Sequence, residues 1–344
     1  MNWYWASIVA AVATLCATPL LRNVALRGNI IDHPGTRKIH ARPTPLLGGA
    51  ALYIGILAGV LGNLRHLAVF YPLLVGATLV FILGIVEDVR GLSASQRFFV
   101  QLCIASLMIA LGVRVSFLPQ GPWKDIGEIT ITLVWLVGVT NAYNYLDGMD
   151  GLAAGSAAIN FFCFFIILFT TRQYPLACVA AIAMGACVGF LPYNLKNARI
   201  FLGEAGSTLL GFSLASLALI GNWAQDNIVK IFIPVFILGV PIFDMCFTTF
   251  MRVREGKVTS LAEWLRYGGR DHFHHCLVDL GLLPFGAVVF IYFITLSLGL
   301  SAIMVSNDSA VEAYLTLSQA FIMFGVIATL IVVGKRRHSG WSPQ

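Results

Sequence analysis

Residues able to do chemistry are gathered in this chain into a few tight clusters. The densest is Asn141-Ala-Tyr-Asn144-Tyr-Leu-Asp147-Gly148-Met-Asp150-Gly151. Asn141, Asn144 and Asp147 stand at i, i+3 and i+6, which puts them on one stripe of a helix. Two Asp-Gly steps then turn the chain. Amide and carboxylate oxygens presented at a helix end suit Mg²⁺, and with it a nucleotide. The twelve-residue ligand pattern of a Ca²⁺ loop is missing. A plain polar stop to an apolar helix is the other reading of these residues.

A second cluster is Glu87-Asp88, which ends an apolar stretch and is followed by Arg90 and Arg97. Two carboxylates at a helix C-terminus oppose its partial negative charge, so a cation is required nearby, either an arginine or a metal. A third is Phe201-Leu-Gly203-Glu204-Ala-Gly206-Ser207, where Glu204 either joins a site or only complements a helix N-terminus. A fourth is Arg270-Asp271-His272-Phe-His274-His275, whose side chains can donate to phosphate and sugar oxygens or carry a proton near neutral pH. Zinc fits it poorly, since adjacent His274 and His275 cannot readily face one ion and no Cys or carboxylate stands at ligand spacing. The fifth runs from Asp32-His33-Pro34-Gly35-Thr36-Arg37-Lys38-Ile39-His40 to Pro43-Thr44-Pro45 and Gly48-Gly49. It suits a phosphate, with a simple basic anchor as the alternative. Neither a P-loop nor a dinucleotide-binding glycine pattern occurs.

The elements that position these clusters are apolar. Hydrophobic residues make up 58% of the 344, charged ones only 11%, and mean hydropathy is +0.83, which excludes a soluble fold for most of the chain. The fold class expected is an all-α integral membrane protein in a single polytopic domain, 1–344, with one large loop at 251–284. Eleven spans are expected at about 3–21, 46–63, 67–86, 98–118, 128–146, 153–171, 174–192, 207–223, 229–250, 285–305 and 313–334. The first reads as an anchor, because Arg22 and Arg27 follow it and no small-residue cleavage site does. With the N-terminus outside, only Arg65, Arg114, Lys124, Arg172 and Lys230 of the 22 Lys and Arg face outward. That asymmetry predicts a periplasmic N-terminus and a cytoplasmic C-terminus. It also accounts for the net charge of +6 without nucleic acid. The seven cysteines form no C-x-x-C pair and read as small packing residues.

All five clusters fall on the inward side. An ion or solute pathway would place ionisable groups at mid-span, and only Asp244 comes near that position. A transporter or flippase of lipid-linked sugars, or a membrane scaffold, is therefore the weaker expectation.

Together these stretches resemble the polyprenyl-phosphate N-acetylhexosamine-1-phosphate transferase superfamily (glycosyltransferase family 4) over about residues 30–285. Asn-Ala-x-Asn-x-x-Asp-Gly-x-Asp-Gly-Leu and Phe-Leu-Gly-x-x-Gly-Ser carry the resemblance. The H-x-H-H form of the His cluster is similar to the bacterial branch that initiates O-antigen and GlcNAc-1-phosphate lipids. The resemblance implies transfer of a sugar-1-phosphate from a UDP-sugar to undecaprenyl or another polyprenyl phosphate. UMP would be released, as the first membrane step of a cell-envelope polysaccharide. It implies Mg²⁺, with Mn²⁺ the other candidate, and a site at the cytoplasmic face of the bacterial inner membrane. It also makes a homodimer plausible. Asp88, Glu87, His272 and His274 would be catalytic. Glu204, Asn144 and Asp88 would hold the metal. Asn141, Asp147, Asp150, Arg270 and His275 would meet nucleotide and sugar, and Arg97, Lys38 and His40 the phosphates. Two departures stand out: the family usually carries Asp where this chain has Glu87 and Glu204.

Overall fold

The computed structural model describes residues 3–33, 43–224, 226–260, 263, 264, 267, 269–306 and 310–339. Lys38 and His40, expected to contact phosphate, lie outside these residues. Regular structure among the described residues is helical apart from one short antiparallel pair, β1 (Ile31–Asp32) with β2 (Thr44–Pro45), in which Ile31 faces Pro45 and Asp32 faces Thr44.

The helices are α1 (Trp3–Arg27), α2 (Gly48–Leu61), α3 (Leu67–Arg90), α4 (Ala94–Ala110), α5 (Lys124–Leu146), α6 (Leu152–Thr170) and α7 (Tyr174–Asn194). They continue with α8 (Gly203–Ile220), α9 (Asn227–Ile237), α10 (Gly239–Arg254), α11 (Phe273–Asp279), α12 (Pro284–Val305) and α13 (Ala310–Ser339). Eight of the helices are long and apolar enough to cross a membrane, nine if α9 and α10 count as one bent span. The protein is thus multi-pass. Each of the eleven expected stretches falls on a helix, but three do so differently from expectation. The stretches at 46–63 and 98–118 shrink to α2 and α4, of 14 and 17 residues, short of the roughly 20 a straight span requires. After Ala110 the chain leaves helix, and Val115 N–H donates to Thr132 Oγ1 on α5 at 3.0 Å. The stretch at 229–250 breaks after Ile237, with an 80° bend between α9 and α10. Pro234 within α9 withholds one helical N–H just before the break.

Among the helices long enough to span, α6, α7 and α8 are the most buried and α13 the least. Apolar contact with lipid is no reason for helices to associate, so close backbone approach takes over. On α7, Gly185 and Gly189 repeat every fourth residue against α1. A Cβ at either would lie 2.2 Å from the carbonyl oxygen of Ser7 or Ala11.

The same device aligns the helix ends that carry the clusters. A Cβ at Gly49 would meet the Gly206 nitrogen at 2.2 Å, and one at Gly84 the Ala205 Cα at 2.3 Å. The N-termini of α2 and α8 are thereby pressed together beside the C-terminal part of α3. The amides of Gly48 and Gly49 donate to the carbonyls of Phe201 and Leu202 at 2.9 and 2.8 Å. The N–H groups of that glycine pair thus tie two helix starts together.

Candidate active site

Glu87 and Asp88 sit in the last turn of α3, and each carboxylate finds a different offset for the helix dipole. Asp88 reaches the start of α8, where its Oδ1 accepts from Glu204 N–H at 2.8 Å and its Oδ2 from Ala205 N–H at 3.1 Å. It therefore caps α8 from a separate helix, so two orphan amides and one carboxylate satisfy each other. Gly203 makes room for this. Its φ of +70° belongs to the left-handed region, and a Cβ there would stand 2.6 Å from Asp88 Oδ2.

Glu87 turns to Arg97 in the first turn of α4. The position of Arg97 is fixed by a capping box, in which Gln96 N–H donates to Ser93 Oγ at 3.3 Å and Ser93 N–H to Gln96 Oε1 at 3.0 Å. Arg97 Nη1 lies 2.6 Å from Glu87 Oε1 and 3.1 Å from Glu204 Oε2. One arginine thus clamps the two glutamates. Glu87 Oε2 is buried and has no hydrogen-bond partner.

The stripe predicted on α5 faces the same place. Asn144 Nδ2 donates to Glu204 Oε2 at 2.6 Å and to Ser207 Oγ at 3.0 Å. One turn earlier Asn141 donates to Gln101 Oε1 at 2.6 Å and to the Val137 carbonyl at 2.8 Å, which ties α5 to α4. Asp147 follows the last residue of α5. Burial, then the negative charge of Glu204, Asp88 and Asp150, holds its carboxyl well above the usual carboxylate range. Asp150 is used differently: its Oδ2 accepts from Ala198 N–H at 2.9 Å, locking the turn against the segment that leads to α8.

The His cluster opens α11 and adjoins this turn. A Cβ at Gly148 would meet His274 Nε2 at 2.2 Å, so the glycine lets the imidazole lie against the backbone between Asp147 and Asp150. His274 is 1% exposed, and neither ring nitrogen has a hydrogen-bond partner. Burial, reinforced by His275 and His272, pushes its pKa down to about 3, so the ring is neutral at pH 7. His275 is also lowered, by burial and by Arg270. Arg270 itself is exposed at the surface. His272 stacks on Tyr145 with ring centroids 5.0 Å apart and bonds to Asp244 and Arg252.

The structure therefore brings together Glu87, Asp88, Arg97, Asn144, Asp147 and Glu204, with Asn141 and Asp150 bracing the turn and His272, His274 and His275 beside it. Arg97, expected to contact phosphate, serves here as the counter-ion of two glutamates. Sequence reasoning gave Ser207 and Tyr145 no role beyond membership of their motifs, and missed Gln101, Arg252 and the partners of Asp244. Asp244 alone gave a signal, as an acid inside an apolar stretch.

The donor set is of the kind a hard divalent cation takes: carboxylate and amide oxygens, one carboxylate oxygen buried without a partner, and a single arginine among four acids. As arranged, no group of three His, Cys, Asp or Glu among the described residues is gathered to hold a metal ion. Arg97 and the α8 amides take the carboxylate oxygens instead.

A set of helix ends presenting acids, amides and imidazoles at one end of an apolar bundle defines a polytopic membrane enzyme. The chain belongs to the polyprenyl-phosphate N-acetylhexosamine-1-phosphate transferase superfamily. The family model for glycosyl transferase family 4 matches residues 70–222, the part that carries the acid pair, the Asn-Asp turn and Glu204. The chain is similar to the probable undecaprenyl-phosphate N-acetylglucosaminyl 1-phosphate transferase of Bacillus subtilis, 32% identical over 336 residues, covering 96% of this chain and 90% of the relative. It is 31% identical over 320 residues to the decaprenyl-phosphate N-acetylglucosaminephosphotransferase of Mycolicibacterium smegmatis, covering 83% and 77%. It is 30% identical over 292 residues to the undecaprenyl-phosphate alpha-N-acetylglucosaminyl 1-phosphate transferase of Salmonella typhi, covering 79% and 75%.

Proposed function

We propose that this protein transfers an N-acetylhexosamine 1-phosphate from a UDP-sugar to a polyprenyl phosphate and releases UMP. The observation that carries the reading is the under-compensated acidic cluster at the junction of α3, α4, α5 and α8, with a buried neutral imidazole set against it. The names of the relatives support GlcNAc as the first sugar to test and undecaprenyl or decaprenyl phosphate as acceptor. The same names give no support to a flippase.

The reaction makes one bond and breaks one. An oxygen of the lipid phosphate attacks the β-phosphorus of the UDP-sugar. The bond from that phosphorus to the bridging oxygen breaks, and UMP leaves with that oxygen. A phosphate monoester is largely ionised at pH 7, so no strong base is required. Glu87, Asn144, Asp147 and Glu204 are the residues that would hold Mg²⁺ or Mn²⁺, with Asp88 fixing the helix end beneath them. When bound, such an ion supplies positive charge against a pyrophosphate and its developing leaving group. Arg97 keeps Glu87 and Glu204 in reach of each other. His274, neutral and unpartnered, can donate to or accept from one sugar-phosphate oxygen. Tyr145 stacks on His272 with ring centroids 5.0 Å apart and so joins α5 to the His cluster.

The site is assigned to the cytoplasmic face of the bacterial inner membrane, with the N-terminus outside. Two arguments support this. The lysines and arginines crowd the loops on that side. The helix ends at the site also alternate, α3 and α5 finishing where α2, α4 and α8 begin. The product would open synthesis of an O-antigen or similar polysaccharide.

The test is UMP release by the purified protein given polyprenyl phosphate, Mg²⁺ and a panel of UDP-sugars, UDP-GlcNAc first. Release dependent on both lipid and divalent cation is expected. Folded protein that releases no UMP with any of them would sink the reading.

A further inference from the structure

Of the three buried imidazoles of the His cluster, His272 and His274 are in opposite situations. His272 has both ring nitrogens engaged: Nδ1 lies 3.1 Å from Asp244 Oδ2 and Nε2 lies 3.2 Å from Arg252 Nη2. A guanidinium has donors only and keeps its proton. Nε2 must therefore accept, which leaves the ring proton on Nδ1, donated to Asp244. Each neighbour is fixed in turn. Arg252 donates from Nε and Nη2 to the two oxygens of Asp271, at 2.8 and 2.7 Å, and packs over Tyr267 at 4.7 Å. Asp244 Oδ1 accepts from Phe273 N–H at 2.6 Å and from Thr248 Oγ1 at 3.2 Å. Asp244 and Arg252 are 0% and 2% exposed, so water is a poor substitute for either partner.

His274 is the reverse case. Its ring lies parallel to that of His272, centroids 6.0 Å apart, and touches His275 and Gly148, yet both nitrogens are unpartnered. The backbone link is direct: Asp244 holds the Phe273 amide, and the His272 carbonyl accepts from Cys276 N–H at 3.1 Å to start α11.

The geometry points to a division of labour within His272-Phe-His274-His275. His272 is a positioning residue, locked in its Nδ1–H form by Asp244 and Arg252. His274 is the imidazole that touches the sugar-phosphate of the donor. The substrate in this statement rests on the transferase reading above; the state of His272 does not.

The test has two arms. The first is ¹⁵N NMR of the histidine-labelled, ligand-free protein in phospholipid nanodiscs, with His272→Asn identifying the signals of that ring. A proton on Nδ1 and a bare Nε2 at neutral pH are expected. An Nε2–H ring, or a doubly protonated one, overturns the positioning role. Arg252→Met removes the donor to Nε2 and is expected to shift the ¹⁵N signal of that bare nitrogen; an unchanged Nε2 signal counts against the network.

The second arm is kinetic, with UDP-GlcNAc as donor. His272→Asn keeps an N–H toward Asp244. It is expected to leave KM within about threefold and to lower kcat by about 10–100-fold, as loss of an orienting partner does. His274→Asn is expected to lower kcat/KM by about 10²–10³-fold, as loss of a direct donor does. A larger loss at 272 than at 274, in protein that elutes as wild type, overturns the division. Wild-type protein that releases no UMP removes the transferase reading, and the tautomer then decides the network by itself.

Discussion

The acidic junction and the His loop handle buried charge in opposite ways. Around α10 and α11 the buried groups form one continuous hydrogen-bonded chain, Asp244 to His272 to Arg252 to Asp271, and every link is made. At the junction of α3, α4, α5 and α8 they do not close. Arg97 serves two glutamates, Glu87 Oε2 has no partner, and the charges that act on Asp147 are all acidic. Removing a buried charge from water costs several kcal/mol unless a partner offsets it. The first region therefore stabilises itself and acts as a scaffold. The second is left in deficit of positive charge, which a cation carrying a diphosphate would make good.

That contrast can be broken by substitution at either region. The largest effect is expected at the open one. Asp147→Asn and Glu87→Gln should each lower kcat by at least about 10²-fold, because each removes a carboxylate that would hold the cation set against the reacting phosphates. They should also raise the melting temperature in the absence of divalent cation, since repulsion among the acids is relieved. A melting curve with and without EDTA reads that sign. A lower melting temperature for both variants would show that the cluster is closed after all.

A smaller effect is expected where the two regions are joined to the frame. Gly203→Ala places a methyl group against Asp88 and forces a left-handed backbone on alanine. It should cost about 1–3 kcal/mol, read as a fall of several degrees in melting temperature. The smallest effect is on pH dependence. His274 is held neutral when folded, with a pKa near 3, whereas it takes up a proton near 6.5 when unfolded. The unfolded chain thus binds more protons between these values, and stability falls as pH drops from about 6.5 toward 3. Thermal melts over that range should be less steep in His274→Asn than in wild type.

Much of this was legible in the sequence, for reasons that separate local from distant physics. Apolar length marked every long helix, and the i, i+3, i+6 spacing placed Asn141 and Asn144 on α5, with Asp147 just past its end. Glu87-Asp88 called for a cation, an arginine or a metal; Glu87 has Arg97, whereas Asp88 is met by backbone amides. The capping of α8 by Asp88 was not legible, because the acid and its amides are 116 residues apart. Nor were the partners of Asp244, 28 residues from His272, since an acid within an apolar stretch looks alike whether it is paired or not. The bend after Ile237 was hidden for another reason: hydropathy registers apolar length and is blind to direction.

The reach of Asp88 to α8 also sets a timetable. At about 5–20 residues per second, the acidic end of α3 is made on the order of ten seconds before Glu204 and Ala205 exist to receive it. Through that interval Glu87 can already meet Arg97, but Asp88 has no helix end to cap. The first half of the bundle must enter the bilayer with one of its acids still waiting.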